Sequence, residues 1–172
     1  MTSVIQFNFL IIFTLIFIYL FLRILLNTKH DNMAIVKELC LTGLIVSLLY
    51  IISFKILPTP NTLTSSSNIN LTPFKIISKL FSQGNLMNTV SFILGNIILF
   101  VPLGFFALFC FEGSMKDTLL ICLLVAIGVE MIQLLQPLMM TNIDDVFLNM
   151  LGGFMGILLS YNFVKNSIRS YR

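Results

Sequence analysis

The chain has 172 residues, of which 58% are hydrophobic and only 10% charged. Soluble domains are about one quarter charged, so this chain lacks the charge needed to cover a water-exposed surface. The net charge of +3 gives no nucleic-acid signature, and the composition points to a bilayer, whose core asks about 20 apolar residues of each crossing helix.

The first predicted span runs from about residue 4 to 26. It has no basic leading region or small-residue cleavage site, and its apolar part is too long for a signal peptide. A polar stretch, "NTKHDNM", follows, and His30 within it reads as a solvated turn residue. The second span covers about 35–57, with Lys37 and Glu38 near one end and Lys55 near the other. Lysines at span ends can snorkel to the headgroups and do not disqualify it.

Residues 58–88 form the one long connection. Its first part, "LPTPNTLTSSSN", is rich in residues that break regular structure. Its second part, "INLTPFKIISKLF", is apolar with interleaved lysines and too short to cross, which predicts an interfacial helix or a segment folded back onto the bundle. Spans three, four and five follow at about 88–111, 118–135 and 146–164, and the short link "EGSMKD" makes three and four an antiparallel hairpin. Cys40, Cys110 and Cys122 sit singly in apolar runs and read as packing residues, with neither disulfide nor metal spacing. No internal repeat is visible. The expectation is an all-α membrane protein, one domain over 1–172: a compact bundle of about five transmembrane helices with a short interfacial segment between the second and third.

Five spans place the termini on opposite sides. Arg23, Lys29, Lys37, Lys116, Lys165, Arg169 and Arg172 fall on one side, and Lys55, Lys75 and Lys79 on the other. Because cytoplasmic loops carry the excess of Lys and Arg, the N-terminus is expected outside and the C-terminus in the cytoplasm. The 58–88 connection and the turn before the last span then face outward.

Ionisable groups inside spans normally face the bundle interior or an aqueous cavity. Glu130 and Gln133 lie three residues apart on one face of span four, and Asp145 and Asn149 four apart on one face of span five. Span three carries Asn96, then Pro102 and Gly104, which should kink it and free a carbonyl. Each has a plainer reading. Asp144 and Asp145 suit a helix start, and Glu130 with Gln133 suits interhelical hydrogen bonding. Gly152 and Gly156 permit close helix approach and read as packing. Asn96, Glu130, Asp145 and Asn149 together, in three spans, point to a site. On the helical wheel Asp145 lies over Asn149 and Gly152, whereas Asp144 should turn back to water or cap the helix.

The stretches "NLTPFKII", "GNIILFVPLGF", "VEMIQ" and "NIDDVFLNMLGGFMG", in that order over about residues 70–160, resemble the blocks of the VanZ-like family. The first two spans match it only in being hydrophobic. The resemblance implies a small multi-spanning membrane protein of the bacterial cytoplasmic membrane, whose namesake is associated with teicoplanin resistance. Its motif residues fall on Asn70, Pro73, Phe74, Asn96, Pro102, Gly104, Glu130, Gln133, Asp145, Asn149 and Gly152. The sequence departs from the family pattern in one place: Met139 stands near an arginine position and Asn142 replaces the first aspartate of the acidic motif. A contact made by that arginine is lost here or passes to Lys75 or Lys79.

The expected function is an envelope protein that contributes to glycopeptide resistance. Its outward polar pocket, of Asn70, Asn96, Glu130, Gln133, Asp145 and Asn149, would bind a lipid-linked cell-wall precursor, with Lys75 and Lys79 as phosphate-binding candidates. Membrane lipids are the expected partners, with no nucleic acid and no cofactor. A membrane enzyme acting on such a precursor is the alternative, with Glu130 as general base and Mg²⁺ held by Asp144, Asp145 and Asn149. A structural or partner-binding protein is the third reading.

Overall fold

In a computed structural model the described residues are 32–56, 69–70, 72–82, 84, 86–136 and 141–169, together with Ile16. Five helices lie among them: α1 (Asn32–Lys55), α2 (Lys75–Ser82), α3 (Leu86–Cys110), α4 (Met115–Leu134) and α5 (Ile143–Arg169). All but α2 are long and apolar enough to cross a membrane. The protein is an all-α membrane bundle. The predicted span at 4–26 lies outside the described residues. The amphipathic second part of the long connection forms α2, whose eight residues are too few to cross.

Helix ends follow local chemistry more closely than hydropathy. The α3–α4 hairpin closes on a tight turn in which Gly113 N–H donates to the Leu108 carbonyl (2.9 Å) and Glu112 N–H to that of Phe109 (3.1 Å). Both turn residues have positive φ, +51° at Glu112 and +88° at Gly113, which closes the last carbonyls of α3. Ser114 then caps α4 by accepting the Asp117 N–H at 3.4 Å. Lys37 donates to Glu112 across this end at 2.9 Å, and that hydrogen bond and charge hold the Glu112 carboxyl below its ordinary value. Both side chains are exposed, so the pair adds little stability. α3 continues through Pro102 to Cys110.

Two features organise the interior. Ile51 of α1, Leu99, Phe100 and Leu103 of α3, and Cys122, Ala126 and Val129 of α4 make the apolar core. α3 and α5 meet along glycine. A Cβ on Gly104 would strike the Gly153 carbonyl, one on Gly152 the Ile97 carbonyl, and one on Gly156 the Val101 carbonyl. The Gly152–Ile97 and Gly156–Val101 contacts advance by four residues on both helices, so the two run parallel, side by side. Without a hydrophobic force between helices in lipid, such backbone approach is what small residues supply. The outer faces carry exposed Leu94 and Ile98, Leu120 and Leu124, and Leu151 and Leu158, while Thr89, Thr118, Asn149 and Ser160 are buried. This inversion of a soluble protein's surface suits a lipid environment.

One element was not expected. Ile69–Asn70 (β1) and Thr141–Asn142 (β2) pair in parallel, Ile69 with Thr141 and Asn70 with Asn142. This two-residue ladder ties the long connection to the turn before α5.

Candidate functional site

The chain reverses at each connection, so the tail of α1, the head of α3, the tail of α4 and the head of α5 share one end of the bundle with β1, β2 and α2. The polar residues gather there. Asn142, immediately before α5, is their hub. Its Oδ1 accepts the Asp144 N–H at 3.4 Å, the bond of a helix cap. The same oxygen accepts from Asn70 Nδ2 at 2.9 Å, and Asn142 Nδ2 donates to Asp145 Oδ1 at 3.3 Å. The Asn142 backbone N–H donates to Glu130 Oε2 at 2.9 Å. An aspartate at 142 would have no amide to offer Asp145 and would set two carboxylates against each other, so asparagine here has a local physical logic.

Lys55, the last residue of α1, supplies the cation. Its Nζ donates to Asp145 Oδ2 at 2.9 Å and to Asn96 Oδ1, and the side chains of the ion pair are each only 13% exposed. Asn96 also donates to the Phe92 carbonyl one turn earlier, at 3.0 Å. Gln133 and Gln136 of the α4 tail donate to the Lys55 and Ile56 carbonyls at 2.8 and 3.0 Å. They cap the end of α1 and fix where Lys55 starts. The connections therefore close a ring through Glu130, Asn142, Asp145, Lys55 and Gln133.

Of the residues expected at the site, Asn70, Asn96, Glu130, Gln133 and Asp145 join this network directly. Asn149 lies one turn along α5 from Asp145, fully buried, and neither atom of its amide has a hydrogen-bond partner among the described residues. Glu130 Oε1 and Gln133 Oε1 are likewise buried and unpartnered there. Lys75 and Lys79 stand exposed on α2; the cation that reaches Asp145 is Lys55. Sequence reasoning passed over Lys55 as a snorkelling end residue, although it was the one lysine at the C-terminal end of its span. It noticed Asn142 only as a departure from a pattern.

Asp144 also needs correction. It is 1% exposed and does not turn to water. Its Oδ1 accepts the Phe74 N–H at 2.5 Å, holding Phe74 at a φ of +60° that non-glycine residues seldom adopt. The Phe74 ring lies near-parallel to that of Phe147, with centroids 6.3 Å apart. The cap of α5 is Asn142, and the two carboxylates meet different groups: Asp144 the Phe74 N–H, and Asp145 the Lys55 ammonium and the Asn142 amide. Among the described residues, no group of three His, Cys, Asp or Glu side chains converges.

Apolar helices of spanning length around a hydrogen-bonded polar ring at one end define a multi-pass integral membrane protein. A family model described as VanZ/LLP1 matches residues 39–165, and the chain belongs to this VanZ-like family. The match begins within α1, so it takes in Lys55 and corrects the reading for the second span, which shares more than hydrophobicity with the family; the first span, at 4–26, lies outside the match. No curated protein and no solved structure matches the chain.

Proposed function

We propose that the protein is an accessory envelope protein of the bacterial cytoplasmic membrane. Its polar ring faces outward, takes the headgroup of a lipid-linked envelope component, and thereby limits glycopeptide action, with teicoplanin the compound to test first. The observation that carries this reading is the Lys55–Asp145 pair with Asn96, buried beside the unpartnered polar atoms of Glu130, Gln133 and Asn149. Buried polar groups are normally satisfied, and an intramembrane ionisable cluster marks a functional site by default. Lys75 and Lys79, exposed on α2 at the same end, suit the phosphate of such a headgroup. The outward placement rests on charge: Lys37, Lys116, Lys165 and Arg169 lie toward the opposite end.

The test is teicoplanin susceptibility in cells carrying wild-type protein, Asp145→Asn, Asn96→Ala or a gene deletion, with membrane levels matched. Both variants are expected to match the deletion. Wild-type susceptibility in Asp145→Asn at wild-type level would refute the reading.

A further inference from the structure

The unpartnered atoms say what kind of headgroup the ring takes. Gln133 Nε2 donates to the Lys55 carbonyl, which can only accept, so the orientation of this amide is fixed and its free atom is the oxygen. Glu130 gives Oε2 to the Asn142 N–H and keeps Oε1 unpartnered, and Asn149 has both amide atoms unpartnered. With Glu130 ionised, three of these four atoms, on Glu130, Gln133 and Asn149, are hydrogen-bond acceptors. A phosphate ester brings only acceptors and would leave them unsatisfied. A primary ammonium brings three N–H donors and no acceptor.

Charge points the same way. Within the ring two carboxyl groups, Glu130 and Asp145, face one cation, Lys55, and Lys55 is already held by Asp145 and Asn96. A further cation beside Glu130 would hold its carboxyl in the ionised, accepting form.

Resting on the headgroup reading above, we infer that the ring between the tails of α1 and α4 and the head of α5 binds the primary ammonium of an aminated phospholipid. Glu130 Oε1, Gln133 Oε1 and Asn149 Oδ1 accept its three N–H groups, while the headgroup phosphate stays outside, toward Lys75 and Lys79 on α2. The ring thus selects on the amine, and the interfacial helix contributes only a general attraction for phosphate.

The experiment is native mass spectrometry of the full chain in detergent, incubated in turn with phosphatidylethanolamine, phosphatidylcholine and phosphatidylglycerol at equal concentration. Phosphatidylcholine keeps the positive charge but has no N–H donor; phosphatidylglycerol has hydroxyls but no cation. Retention of phosphatidylethanolamine is expected to exceed that of phosphatidylcholine at least about tenfold, the scale of a single lost charge-assisted hydrogen bond. Glu130→Gln and Asn149→Ser should each abolish that preference without changing retention of phosphatidylglycerol. Displacement by soluble O-phosphoethanolamine would support the ammonium chemistry with a free, non-lipid source. Equal retention of the ethanolamine and choline lipids, or preference for phosphatidylglycerol, would overturn the inference and leave the headgroup reading standing. Retention of no lipid would overturn both. The wild-type comparison decides even if a variant fails to fold.

Discussion

Lys55 and Asp145 are mutually dependent, because each is nearly enclosed and each is the other's counter-charge. Removing one partner of a buried pair leaves an uncompensated charge and costs about 3–5 kcal/mol, whereas replacing both by apolar groups can be close to neutral. Lys55→Met and Asp145→Leu should therefore each lower the unfolding temperature in detergent sharply, and the double variant should lose less than their sum. Strict additivity would show that the pair is not coupled. Asp144 should behave differently. Asp144→Asn keeps an acceptor for the Phe74 N–H and should be mild, while Asp144→Leu should expose residues 70–74 to limited proteolysis; equal protection in both would remove the tether's role. Helical periodicity was enough to set Asp145 and Asn149 on one face. The partner of Asp144 lies 70 residues away in sequence, and no local pattern carries that information.

At the scale of elements, glycine decides how α3 and α5 meet. Gly104→Ala, Gly152→Ala and Gly156→Ala each put a methyl group into a facing backbone carbonyl, and each should reduce the folded protein recovered from membranes. Gly95 and Gly128 have open space where a Cβ would go. Alanine there should be harmless or stabilise by about 0.5–1 kcal/mol, the usual gain inside a helix. A fluorescence-detected size-exclusion profile of all five variants checks the contrast, and uniform behaviour would refute it. The small-residue pair of α5 was visible in the sequence, but its partner helix was not. Span limits came within a few residues from hydropathy alone. The head of α5 starts at Ile143 instead of 146 because Asn142 caps it and both aspartates lie in its first turn.

At the scale of the molecule, alternation of the helices sets which groups share an end, and charge sets which end faces out. Ser82 on α2 and Lys116 on α4 are both exposed at opposite ends. In a protein stripped of native cysteines, Ser82→Cys should react with a membrane-impermeant maleimide on intact cells and Lys116→Cys only after lysis; the reverse pattern would invert the topology. The bundle was legible because lipid imposes a strong, one-dimensional demand on apolar length. The ladder between residues 69–70 and 141–142 was not, since two residues of pairing leave no periodic trace and depend on a fold already formed.

The ion pair spans 90 residues of sequence, and this has a consequence for biogenesis. Lys55 emerges from the ribosome well before Asp145; at typical synthesis rates of about 5–20 residues per second it waits roughly 5–20 s for its counter-charge. During that interval the lysine can remain at the aqueous boundary by snorkelling, and the early helices have no reason to draw it inward. Only insertion of α5 supplies Asp145, the Asn142 hub and the glycine seam together. The site therefore forms only once α5 has been inserted, and a nascent chain that stops short of α5 carries an unneutralised lysine by which membrane quality control can recognise it as unfinished.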